Sequence, residues 1–258
     1  MFSFLPLSVK LYLGGLVFVL GAVLGSAFNC LAFRLAREQK WSGGRSVCPA
    51  CGHTLAPLDL IPLLSYALLR GKCRYCGTKV SPRYPASEAF LGVVLLSVLL
   101  RFGFSMDALV WAVFCCCLFT LSLVDLEIQI IPDRFLLIPA IFRLIQLFIE
   151  GNLLSGILPG LAIGGGVLVL SLIMDKILQK DTMGGGDIKL LAVLGLYFSF
   201  AECLLMLILA CVIGIVIASV LMKVESDAAF PFGPALSLAA WITMLIGQPL
   251  VSWYLGLF

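Results

Sequence analysis

Charge is scarce in this chain. Only 12% of its 258 residues are Asp, Glu, Lys or Arg, about half the ~25% of a soluble domain. Together with 62% hydrophobic residues and a mean hydropathy of +1.13, that shortage excludes a water-soluble globule and leaves a polytopic membrane protein. Histidine is scarcer still, since His53 stands alone, and a serine or cysteine nucleophile therefore has no evident histidine base. The glycine run at 184–186 lacks the wider glycine spacing and following Lys-Ser/Thr of a phosphate-binding loop. No internal repeat symmetry of the kind that marks many transporters is visible. The formal net charge of +3 comes from basic residues confined to a few loops, which is a topology signal and gives no case for nucleic-acid binding.

Apolar runs near residues 11–33, 86–100, 108–124, 135–149, 152–174, 188–200, 203–222 and 234–256 predict an all-α bundle of about eight transmembrane helices. The runs at 86–100, 135–149 and 188–200 are short and are expected to be tilted, interior or partial spans. The expected organisation is a first helix over 1–33, a polar loop over 34–85 and a membrane bundle over 86–258. Nine basic residues between Arg34 and Arg83 place that loop in the cytoplasm. Alternating from there puts fourteen of the 17 basic residues on the same side. The first run is followed, not preceded, by its basic flank, so it reads as a retained helix with its N-terminus outside.

The polar loop carries Cys48-Pro49-Ala50-Cys51 and Cys73-Arg74-Tyr75-Cys76, separated by 21 residues. Two C-x2-C pairs at this spacing make the four-thiolate ribbon that holds a structural zinc ion, with Gly52 and Gly77 where each knuckle turns. Disulfides suit a reducing cytoplasm poorly, and a single thiol exchange needs only one pair. His53 is expected to be an exposed loop residue, because four thiolates already complete the tetrahedron. Residues 56–69, between the knuckles, are too short to span and read as a membrane-surface or re-entrant element held by the zinc clip. The six remaining cysteines lie in apolar runs, as small hydrophobes do.

Asp125, Glu127 and Asp133 follow the third apolar run, and Asp187 opens the sixth after Gly184-Gly185-Gly186. All four should meet at the cytoplasmic rim. Asp133, after Pro132, reads as a helix-start acid. Asp125 and Asp187 stand against apolar segments, where a carboxylate is costly without a task. Two carboxyls within hydrogen-bond reach share one proton: one activates a water while the other protonates the substrate carbonyl, and this is aspartyl protease chemistry. The competing reading places Mg2+ on Asp125, Glu127, Asp133 and Asp187 for phosphoryl or head-group transfer.

Several of these motifs resemble, over nearly the whole chain, the bacterial type IV prepilin peptidases, membrane aspartyl proteases of the Gly-x-Gly-Asp type. The first helix end Gly25-Ser26-Ala27-Phe28-Asn29, the two cysteine pairs, and Ser81-Pro82-Arg83-Tyr84-Pro85-Ala86-Ser87-Glu88 carry the resemblance in the first third. Asp125 with Ile131-Pro132-Asp133, then Met183 to Lys189, and finally Pro231-Phe232-Gly233-Pro234 carry it in the rest. The resemblance implies Asp125 and Asp187 as the catalytic pair, acting on prepilins or pseudopilins at the cytoplasmic side of the inner membrane. Because members with the four-cysteine loop are typically bifunctional, it also implies N-methylation of the new amino terminus from S-adenosylmethionine. Asp181-Thr182 and Ser87-Glu88-Ala89 depart from the family's usual Glu-Gly and Val-Glu-Leu. The small residues Gly14, Gly15, Gly21 and Gly25 could receive a substrate helix or pack within the enzyme.

Overall fold

The computed structural model describes residues 6–40, 44–180, 183–221 and 231–256, and it is helical throughout, with no strand among the described residues. Helices α1 (Leu7–Ala36), α2 (Leu64–Leu68), α3 (Arg83–Phe102), α4 (Met106–Ile128), α5 (Arg134–Ile149), α6 (Leu153–Leu178), α7 (Gly185–Leu194), α8 (Phe200–Leu221) and α9 (Gly233–Leu255) follow in order, with a 3-10 turn at Pro57–Leu60. Six of them, α1, α3, α4, α6, α8 and α9, are long and apolar enough to cross a bilayer. The predicted run 135–149 forms α5, which has 16 residues. The run predicted over 188–200 holds α7, only 10 residues long, and then a turn. Each of the eight expected segments thus contains a helix, but two of these are too short to cross unaided. The chain divides into two compact units, residues 1–112 and 113–258.

In the first unit α1 and α3 run antiparallel at close range. A Cβ on Gly21 would lie 2.7 Å from the Cα of Gly92, and one on Gly25 would lie 3.0 Å from the Cα of Glu88. Without a hydrophobic drive between helices in lipid, close backbone approach supplies the packing. Gly14 faces Leu96 in the same seam, while Gly15 has nothing near it. Three of the four glycines offered for substrate packing are therefore used inside the chain. Asn29 crosses the seam, donating to Gly25 O at 3.0 Å and to the Ser87 hydroxyl at 2.6 Å.

In the second unit, small residues again let helices touch. Gly195, just past α7, abuts Gly160 of α6, and a Cβ on Gly164 would lie 2.7 Å from that of Ala192. The far end of α7 is tied to α5: Arg143 Nε donates to Leu196 O at 3.0 Å, and the Tyr197 hydroxyl donates to Pro139 O at 2.7 Å. Tyr197 also stacks on Phe114 of α4, with centroids 4.0 Å apart. At the near end, a Cβ on Gly186 would meet Ile131 at 3.0 Å, so the connection between α4 and α5 lies against the start of α7. Helix α7 is thereby fixed at both ends, which sets where its first turn presents Asp187.

Candidate functional site

Each unit carries a candidate site. In the first, both cysteine pairs close the same turn. Gly52 N–H donates to Cys48 O at 2.8 Å and Cys48 N–H to His53 O at 2.9 Å; Gly77 N–H donates to Cys73 O at 3.0 Å and Cys73 N–H to Thr78 O at 2.9 Å. Gly52 and Gly77 lie at φ +70° and +71°, the left-handed conformation that favours glycine. Antiparallel bridges Val47–Thr54 and Lys72–Lys79 brace the two knuckles alike.

The four Sγ atoms lie within 4.8 Å of one another, and those of Cys48 and Cys76, from different knuckles, are 3.9 Å apart. Thiolates about 2.3 Å from a tetrahedral zinc ion have sulfur–sulfur edges of about 3.8 Å, so the donor set fits that ion. The hydrogen bonds that Cys76 Sγ shares with the Thr78 side chain and amide push its thiol down to about 6. The Cys51 and Ala50 amides lower Cys48.

His53 stays outside the cluster and lies against Tyr75, with ring centroids 3.6 Å apart and the planes tilted by 34°. Asp59 is the clamp between the 3-10 turn and the second knuckle. It accepts from Ala56 N at 3.1 Å, Arg74 Nε at 2.7 Å and the Tyr75 hydroxyl at 3.1 Å.

The second site is assembled from distant segments. Asp125 does not follow the third span but lies within the last turn of α4, because the helix continues past the apolar run until Gln129 turns left-handed at φ +54°. Its side chain is buried, and its Oδ2 accepts the Gly233 N–H at the first residue of α9 at 3.0 Å. A Cβ at position 233 would stand 2.7 Å from that oxygen, so the approach needs glycine. Asp187 is in the first turn of α7, after Gly184 at the N-cap position, with no side-chain cap.

Asp125 and Asp187 line one cavity of about 490 Å³, together with Gln129, Ile131, Asp133 and Lys189. Burial, and then the negative charge of Asp125, push Asp187 up to about 6. It lies outside the six helices long enough to span. A carboxyl raised in this way holds a proton well above the ordinary range, as one partner of a proton-sharing pair must.

Asp133 occupies the N-cap position of α5 but caps nothing with its side chain. Its Oδ1 instead accepts the Lys189 ammonium at 2.8 Å, with both side chains exposed. Glu127 is exposed and does not line the cavity. Residues two apart on a helix do not face each other, so Asp125 and Glu127 cannot share one ion, and the Mg2+ reading loses its nearest ligand pair. The contact of the Gly233 amide with Asp125 is the site feature that sequence reasoning missed; the Pro231-Phe232-Gly233-Pro234 motif marked the position without giving it a role.

Residues 19–102 match the bacterial peptidase A24 N-terminal domain, and residues 112–219 match the type IV leader peptidase family. A prepilin leader peptidase/N-methyltransferase of Stutzerimonas stutzeri is 33% identical, covering 92% of each chain. The chain belongs to the type IV leader peptidase family. Proteins of the same name from Pseudomonas putida, 32% identical over 91% of each chain, and Bacillus subtilis, 30% identical over 93% of this chain and 97% of that one, are also similar. No solved structure matches. In this leader peptidase family member the N-terminal domain match takes in α3, the cysteine loop and most of α1. The second match carries both aspartates, and Gly233 lies beyond it.

Proposed function

We propose that this protein is a membrane aspartyl protease that removes the leader of prepilins or pseudopilins at the cytoplasmic face of the inner membrane, with Asp125 and Asp187 as its catalytic pair. The observation that carries the reading is their position in one cavity, with Asp125 held by the Gly233 amide. That amide donates to Asp125 Oδ2 and fixes the orientation of the carboxyl, which takes a proton from an attacking water. Asp187, pushed up to about 6, supplies the proton that the scissile carbonyl oxygen accepts. Collapse of the tetrahedral intermediate then returns a proton through the pair to the leaving amine. Gly184, Gly185 and Gly186 precede Asp187 and line the same cavity, where small residues leave room for a substrate backbone.

The four cysteines would hold one zinc ion, which cross-links the two knuckles and leaves no open coordination position for catalysis. The relatives' name supports a second activity, N-methylation of the exposed amino terminus with S-adenosylmethionine as donor of a sulfonium methyl; no residue is assigned to that step.

Purified protein in detergent, given a prepilin and followed by mass spectrometry with and without S-adenosylmethionine, tests both activities. The wild type should release the leader, and the cofactor should add one methyl mass. Asp125→Asn and Asp187→Asn should insert normally yet cleave at least ~10³-fold more slowly. Unimpaired turnover in either variant would sink the dyad.

A further inference from the structure

The segment between the two knuckles exposes leucines that a water-surrounded loop would bury: Leu58, Leu64 and Leu68 are 65%, 52% and 74% exposed. Leu64 and Leu68, one turn apart on α2, share a face. Their level is set by one contact. Glu88, buried in the second turn of α3, accepts the Leu63 N–H at 3.0 Å through Oε2. Leu63 is held at φ +61°, a conformation that a leucine adopts only under constraint. The sixth residue of a helix lies about 8 Å along its axis, so the start of α2 is pinned level with the second turn of a helix long enough to span the bilayer.

Charge points the same way. From Arg34 to Arg83 the loop carries nine basic residues against two acids, Glu38 and Asp59, and Asp59 is already engaged by Arg74. Arg70 and Lys72 follow α2 directly and are exposed. The antiparallel bridge sets Lys72 opposite Lys79, also exposed, and like charges facing each other across a ladder are unfavourable without an anion between or beside them. We propose that residues 57–69 lie in the interface of the membrane that anchors α1 and α3, with the leucine edge at the acyl-chain boundary and Arg70, Lys72 and Lys79 against anionic lipid headgroups. The zinc knuckles then act as a rigid clip that presents this edge, and the loop is a peripheral membrane element in its own right.

The test uses the full chain in lipid vesicles, with Leu68→Trp and, independently, Leu64→Trp, read as added emission over the four native tryptophans. The added band should be blue-shifted and lose most of its intensity to lipid brominated near the headgroup end of the acyl chain. Brominated phosphatidylglycerol should quench it about two-fold more than brominated phosphatidylcholine at equal mole fraction, and high salt should erase that difference. Water-like emission at both positions, quenched by aqueous iodide, overturns the proposal. Emission shielded from both quenchers also overturns it, because a second copy or another protein then covers the face. Equal quenching by the two brominated lipids overturns the anionic-headgroup part.

Discussion

The cysteine loop and the aspartate cavity are both polar sites in an apolar chain, but they are built on opposite plans. The loop draws its four clustered cysteines from 29 consecutive residues, and each knuckle is closed by backbone hydrogen bonds within six residues. The cavity is lined by the end of α4, the α4–α5 connection and the start of α7, and its Asp125 is joined to Gly233 of α9 across 108 positions. A local site can be read as a spacing and can survive changes elsewhere in the fold. A distributed site exists only while each helix end stays where its packing puts it, so it should respond to substitutions that never touch the chemistry.

The largest effect expected is the ~10³-fold loss of cleavage in Asp125→Asn and Asp187→Asn, with metal content unchanged. The converse change is Cys73→Ser, which should release the bound zinc and make residues 44–80 readily cut by added protease. Full metal stoichiometry in that variant would remove the cysteines' assignment. Gly233→Ala sharpens the contrast most. Its Cβ would stand 2.7 Å from Asp125 Oδ2, and the shift of the carboxylate or of α9 should cost about 10- to 100-fold in kcat with zinc content untouched. Wild-type rates would show that the amide contact is incidental.

A pH comparison follows from Asp187. Its folded-state value of about 6 lies above the ordinary 3.8, so the folded protein binds this proton more tightly than the unfolded chain does. Stability from that proton is fully present below the ordinary value and is lost as pH rises through about 6. Asn does not titrate. Asp187→Asn should therefore melt higher than wild type at neutral pH, and the gap should close as pH falls through that window. A gap that does not change with pH would mean that the carboxyl is not raised. The smallest effect belongs to Lys189→Met: its ion pair with Asp133 is exposed on both sides and is expected to contribute less than about 1 kcal/mol to thermal stability.

Much of this was legible in the residues because membrane solvation is strict. A chain with 12% charge places its apolar runs in lipid as helices, and each of the eight runs contains one. Thiolate spacing is equally direct, since a knuckle needs two cysteines, a tight turn and little else. Helix ends were harder to read. Hydropathy stops at the first carboxylate, whereas backbone hydrogen bonding continues, so α4 carries Asp125 inside its last turn. The run at 188–200 looked like a short span, but Gly195 against Gly160 ends α7 early and lets it nest beside α6.

Composition and short-range spacing, then, were enough to specify a helical membrane protein, its four-thiolate loop and its two candidate carboxylates. Each of these depends on solvent preference or on neighbours in the chain. Three-dimensional packing assigned the partners: Gly14, Gly21 and Gly25 to the seam with α3, Asp133 to Lys189, Glu88 to the strained turn at Leu63, and Gly233 to Asp125. Those choices depend on which helix faces meet, and a linear pattern holds no record of the distance between residues a hundred positions apart.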